Sequence, residues 1–124
     1  MGDISVSDAD MEAESDRGSL EKFWQALIDG KDARATDIYQ PEAVLVLPQT
    51  GETITGRDAI AARAPLRPGV SLLKVNRIVG HGGLWITECE AQREQQTLLI
   101  VSIARMDHGR IVHETRYDAP VALS

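Results

Sequence analysis

Aromatic residues are scarce in this chain: one Phe, two Trp and two Tyr make up 4% of its 124 residues. Aliphatic side chains must therefore fill any interior, and an apolar content of 43% is enough for one single-domain core. Cysteine occurs once, at Cys89, which excludes an internal disulfide and suits a reducing, cytoplasmic setting. No apolar run approaches the ~18 residues of a membrane span. The N-terminus lacks the basic and apolar regions of a signal peptide. Met1-Gly2 is followed at the sixth position by Val6 rather than the Ser or Thr of a myristoylation signal.

A basic excess is also missing, since 13 Lys and Arg face 19 Asp and Glu, for a net charge of −6. Six of the acids (Asp3, Asp8, Asp10, Glu12, Glu14 and Asp16) precede the first base, Arg17, which leaves 13 acids to balance 13 bases. The acidity belongs to the N-terminal end. Residues 1–15 are expected to form an acidic, partly disordered leader, and 16–124 a single domain. Such a charge distribution argues against nucleic-acid and anionic-membrane partners, which need a basic face.

Hydrophobic spacing divides the rest into a helical first half and an extended second half. Leu20, Phe23, Trp24, Leu27 and Ile28 follow the spacing of one helix face, with Ser19 as N-cap and Gly30 as stop. A shorter helix carries Ala35, Ile38 and Tyr39 and ends at Pro41. Ala43 to Leu47 reads as a buried strand closed by Pro48, and Glu52 to Thr55 as its return. A third helix opens at Gly56-Arg57-Asp58, carries Ile60, Ala61 and Ala64, and stops at Pro65. From Val70 the period becomes two. Strands are predicted over Val70 to Val79, Leu84 to Glu94, Thr97 to Met106 and Arg110 to Tyr117, joined by glycine-containing turns. On the second of these, Leu84, Ile86, Glu88 and Glu90 share one face, and Trp85, Thr87, Cys89 and Ala91 the other. The order predicts an α+β fold, three N-terminal helices packed on a curved antiparallel sheet.

Two segments carry a family resemblance. The stretch FWQALIDGKDARATDIYQPEAVLVLPQTGETITGRDAI resembles the opening of SnoaL-like, nuclear transport factor 2-like domains. ARMDHGRIVHETRYDAP is similar to their closing hairpin and strand. The resemblance spans roughly residues 19 to 120. It implies a conical α+β barrel enclosing one pocket, usually in a dimer, on a fold that hosts enzymes, binding proteins and assembly modules alike.

Set against that family, the central residues of three known chemistries are absent. The carboxylate base of steroid isomerase members falls on Leu47, their acidic donor near Ser102, and their helix-one tyrosine on Trp24. The water-holding positions of epoxide hydrolase members fall near Leu45 and Leu47, and their Arg and two Asp on Glu88, Glu90 and Arg116. Polyketide cyclase members place an acid–base Asp at Arg116, two residues after a His that falls on Glu114. If the family's strand facing holds, Val112, Glu114 and Arg116 point into the cone, with Glu88 and Glu90 beside them. Glu88, Glu90 and Arg116 are then the candidate catalytic cluster, crowded carboxylates around one guanidinium, with a self-satisfied structural ion-pair network as the alternative. Trp24, Leu47, Ser102 and Glu114 are the candidate ligand-binding residues, over an aliphatic floor of Leu45, Leu47, Ile86 and Ile100.

No His, Cys or Asp grouping has metal-ligand spacing, and Gly80 to Gly83 lacks the strand-to-helix setting of a phosphate loop. Neither metal nor cofactor is therefore expected. Cys89 reads as an inert core thiol. The expected function is capture of a mostly apolar small molecule, with isomerase-, cyclase- or dehydratase-like proton transfer as its catalytic version. The alternative is a non-catalytic homodimeric module that uses Leu99, Val101 and Ile103 on the outer sheet face.

Overall fold

The structure, a computed structural model, describes residues 8–63 and 66–121. Helix α1 spans Asp8–Ile28. It begins well before Ser19, which lies inside it and not at its cap. Met11, Glu12, Ala13 and Glu14 are good helix formers, and acids near a helix N-terminus complement its dipole. The expected leader is thus helical from Asp8 onward, while residues 1–7 lie outside the described part. The predicted apolar stripe holds: Leu20, Phe23, Trp24 and Leu27 are all buried.

Helix α2 (Asp32–Ala35) leads through a 3-10 turn at Thr36–Ile38 directly into strand β1 (Tyr39–Leu47). Tyr39 therefore opens a strand and does not close a helix. Pro41 falls where β1 loses step with its neighbour, between Tyr39 and Val44, so its missing N–H disrupts no regular ladder. Next come β2 (Glu52–Thr55) and α3 (Arg57–Arg63). The expected continuation of α3 through Ala64 to Pro65 lies outside the described residues. Four long strands close the chain: β3 (Val70–His81), β4 (Leu84–Arg93), β5 (Gln96–Asp107) and β6 (Arg110–Pro120).

The strands form one open sheet in the order β2-β1-β6-β5-β4-β3. It is mixed, not wholly antiparallel as expected, because β1 runs parallel to β6. The other pairings are antiparallel. Two-residue turns join the last strands. At the β5–β6 turn His108 and Gly109 have φ of 50° and 76°, the left-handed pair that matches strand twist.

Side-chain facing follows from register. Opposed residues of an antiparallel pair share a face, and Cys89 opposes Ile100 while Thr87 opposes Ser102. The concave face therefore takes Trp85, Thr87, Cys89 and Ala91 from β4 with Leu98, Ile100, Ser102 and Ala104 from β5, all buried. Helices α1 and α3 cover it. Asp16 on α1 anchors the helix to the sheet: its carboxylate accepts the Trp85 indole N–H at 3.3 Å and the Gly109 backbone N–H at 2.9 Å. Beside it, Arg17 lies 5.1 Å over the Trp85 ring and donates to the Ile78 carbonyl at 2.8 Å. Among the described residues no helix is long and apolar enough to cross a membrane.

Candidate functional site

Under α1, the concave face carries a buried polar network. Glu114 on β6 is 0% exposed and Arg116, two residues on, is 7% exposed. Strand alternation puts both on the same face, and the guanidinium folds back onto the carboxylate with N–O distances of 2.9 and 3.0 Å. Ser102, opposite Arg116 on β5, donates to Glu114 Oε2 at 2.6 Å. The Tyr39 hydroxyl donates to Glu114 Oε1 and accepts from Arg116 Nη2 at 3.1 Å. Trp24 completes the group, its ring 5.6 Å from Arg116 Cζ. Its indole N–H is buried with no hydrogen-bond partner among the described residues.

Burial and the neighbouring Glu114 carboxylate push the Tyr39 hydroxyl well above its ordinary value of 10.0. Burial, which disfavours the charged form, is the largest influence on Arg116 but is outweighed by Glu114 and Tyr39, so the guanidinium stays charged. Burial likewise pushes the Cys89 thiol up to about 12, as an inert core thiol requires.

Tyr39 gives a prediction with a definite sign. Its folded pKa is raised, so its contribution to stability is constant below the ordinary value near 10 and is lost as pH rises through the folded value. In a Tyr117→Phe variant, where Tyr39 is the only tyrosine, phenolate absorbance should appear above pH 10 only together with unfolding. A phenolate signal near pH 10 with intact circular dichroism would contradict the buried, hydrogen-bonded hydroxyl.

A narrow cleft opens beside the network with a free volume of about 40 Å³. Its aliphatic walls are Leu45, Leu47, Leu66, Val70 and Ile100, and Arg116 borders it. Its polar rim comprises Gln49, Thr50, Arg63, Arg67 and Asp118. Glu52 holds Arg63 at 2.8 Å, and Asp118 holds Arg67 at 3.1 Å. Gln49 clasps the Asp118 backbone with both ends of its amide, donating at 2.6 Å and accepting at 2.7 Å. A wider groove of about 590 Å³ runs between α1, α2 and the β5–β6 turn. Its charged rim (Lys22, Lys31, Arg34 and Arg110) is solvent-exposed and separate from the network.

The structure brings Trp24, Ser102, Glu114 and Arg116 together, with Leu47 in the adjoining cleft. Glu88 and Glu90 are not with them, which corrects the expected cluster. They project from the outer face of β4, where Glu88 accepts from Arg77 Nε at 2.8 Å and Glu90 pairs with Lys74 at 3.6 Å. The reason is parity. Glu88 opposes Val101, not Ile100, so a β5 that turns Ile100 inward turns Glu88 outward. Ile86 follows the same rule and is exposed, not part of the floor. On β6 a register shift falls between the pairs Arg105–His113 and Met106–Ile111, so Ile111 takes the buried place expected of Val112.

Sequence reasoning missed Tyr39, Arg63, Arg67 and Asp118. For Tyr39 a signal existed, since a tyrosine preceding a β-branched run can be read as the strand's first inward residue once Pro41 is assigned to a bulge.

No protein-family model matches the sequence, and no curated protein does. Solved structures do match. A nuclear transport factor 2-like protein of unknown function from Burkholderia xenovorans LB400 has a TM-score of 0.81 and 35% identity over 92% of this chain and 90% of that one. A proposed ketosteroid isomerase from Kribbella flavida DSM 17836 has a TM-score of 0.78 and 20% identity, over 90% and 82% of the two chains. A nuclear transport factor 2-like protein of unknown function from Mesorhizobium loti has a TM-score of 0.74 and 17% identity, over 93% and 97%. The last two likenesses are of fold alone.

Proposed function

Since this chain belongs to the nuclear transport factor 2-like family, we propose that it binds a small, mostly apolar and uncharged molecule in the cleft beside Arg116. One observation carries the reading: the cleft is aliphatic, and every arginine in its wall is matched by a carboxylate. Arg63 has Glu52, Arg67 has Asp118, and Arg116 has Glu114. The wall therefore offers polar groups without surplus charge. An incoming anion would have to displace a carboxylate already in place. The volume of about 40 Å³ is well under the ~300–1,000 Å³ of drug-sized pockets and under the ~150 Å³ that admits benzene, so even a one-ring ligand must push the aliphatic walls apart and a polycyclic one does not fit.

Binding is favoured over proton transfer because, among the described residues, the carboxylates at the network and the cleft are each already held by a partner. Asp118 is held by Arg67, Glu114 already accepts from three side chains, and Glu88 and Glu90 face away. Thermal-shift measurements with toluene and cyclohexanol, against benzoate as the charged counterpart, test the reading. The neutral compounds should raise the melting temperature, and benzoate should not. Leu47→Trp, which fills the cleft, should remove the response. A flat response to the neutral compounds, or an unchanged one in Leu47→Trp, rejects the cleft as the site.

The convex face supports homodimerisation as a further part of this reading. Ile86 opposes Ile103, and Val101 lies between Glu88 and Tyr117, with Leu99 one step along. Ile86 and Tyr117 are exposed, and Leu99, Val101 and Ile103 only half-buried, so an apolar patch crosses the three central strands. Val101→Glu should halve the mass measured by light scattering while leaving circular dichroism unchanged. A parent chain that is already monomeric at micromolar concentration would remove the dimer. The single buried Cys89, unpaired in the fold, supports the cytoplasm as its compartment.

A further inference from the structure

The wider groove between α1, α2 and the β5–β6 turn has the reverse electrostatic character of the cleft. In the cleft every arginine has its carboxylate. The groove instead gathers Lys22 from α1, Lys31 from the loop after it, Arg34 from α2 and Arg110 from the start of β6. None of these four has an ion-pair partner among the described residues, whereas Arg63, Arg67, Lys74, Arg77 and Arg116 each have one. Asp29 and Asp37 also line the groove, and Asp29 accepts from Gln25 at 3.0 Å. Four bases against two acids leave a surplus of two positive charges, in a chain whose net charge is −6. His108 adds nothing to it, since its ring nitrogens already face Asp107 and Glu12. Like charges gathered at one rim repel one another, and an anion among them removes the repulsion.

Beneath the rim the floor is apolar. Phe23 and Ala26, one helical turn apart on α1, meet Ala35 and Ile38 there. The volume of about 590 Å³ lies within the range of small-molecule sites. The two acids of the wall disfavour a polyanion such as an acidic peptide, whose charge continues along its length. A compact anionic group on an apolar body fits better. A surplus of two charges matches a phosphate monoester, which carries about −1.5 to −2 at neutral pH, better than a carboxylate. We propose that the groove is a second binding site, for a small phosphate monoester with an apolar body. Arg34 and Arg110 hold the phosphate through their forked N–H groups, Lys22 and Lys31 add point charge, and the body rests on Phe23 and Ile38. The site stands independently of the cleft.

Calorimetric titration with 1-naphthyl phosphate, 1-naphthoate, 1-naphthol and inorganic phosphate tests it. The naphthyl phosphate should bind about tenfold more tightly than any of the others, and added salt should weaken it. The double variant Arg34→Gln, Arg110→Gln should lose about tenfold in that affinity or more. Its circular dichroism should be unchanged, since both side chains are exposed and unpaired. If that variant does not fold, the ligand series and the salt dependence of the parent still decide. Leu47→Trp, which fills the cleft, should leave the affinity for naphthyl phosphate as it is. Equal binding of any of the other three compounds, or an affinity indifferent to salt or to the double variant, overturns the proposal. Loss of binding in Leu47→Trp also overturns it, because the ligand would then lie in the cleft. Tighter binding of a peptide with the sequence of Asp8–Asp16 overturns it too, and makes the groove a docking place for an acidic segment.

Discussion

Replacing Glu114 with Ala should destabilise the protein by about 3–5 kcal/mol, because it strands the Arg116 guanidinium in a buried place without its counter-ion. Tyr39 and Ser102 would lose their acceptor in the same step. The double variant Glu114→Leu, Arg116→Met should recover most of that loss, since an apolar pair of similar volume avoids desolvating two charges. Urea denaturation of the single and double variants separates the outcomes. A single-variant loss under about 1 kcal/mol would mean that water reaches Arg116 and that the network is not sealed. The double variant also addresses function: if it folds and binds neutral compounds as the parent does, the ion pair only builds the wall.

The second large effect is expected at the other end of the chain. Asp16→Ala should cost about 2–4 kcal/mol, because it leaves the Trp85 indole N–H and the Gly109 N–H buried without an acceptor. Truncation to begin at Arg17 should cost more, since it also removes the first turns of α1. Truncation to begin at Asp8 should be tolerated. Thermal melts of the three variants form an ordered series, and equal melting temperatures for the Asp8 and Arg17 truncations would dismiss Asp16 as an anchor.

Asp16 shows where sequence reasoning stops. Within the run of acids before Arg17 it looks like any solvated carboxylate, and nothing local separates it from Glu12 or Glu14. Its burial is decided by a β-turn and a tryptophan some 70 to 90 residues away. Patterns with a short period were legible: the apolar stripe of α1, the four strands from Val70 and the shared face of Glu114 and Arg116, which the family resemblance turned inward. Glu88 and Glu90 had the right residue types on the wrong side, because alternation along a strand gives two faces without saying which is inside. That choice lies in the β4–β5 register, where Cys89 meets Ile100. Tyr39 was obscured by a proline that ends helices in most settings and here sits in a bulge. Two of the cleft arginines, Arg63 and Arg67, come from α3 and the loop after it, and only the packing of α3 on β1 and β2 and the pairing of Arg67 with Asp118 bring them to one rim.

The parallel contact between β1 and β6 also bears on how the protein assembles and opens. Strands β3 to β6 are successive hairpins that can form from neighbouring segments, whereas β1 must close a loop of about 70 residues to reach β6, from Leu45 to Glu114. Non-local closure of this kind is slow, so β1 is expected to dock late in folding, onto a meander in which Glu114 and Arg116 are still hydrated. Tyr39 travels with β1, so its arrival drives water from the ion pair and seals the interior. In the native state β1 amides are expected to exchange with deuterium sooner than those of β4 and β5. To open the wall formed by Leu45 and Leu47, β1 would have to leave together with β2, which pairs with it alone, and with α3, which packs on both.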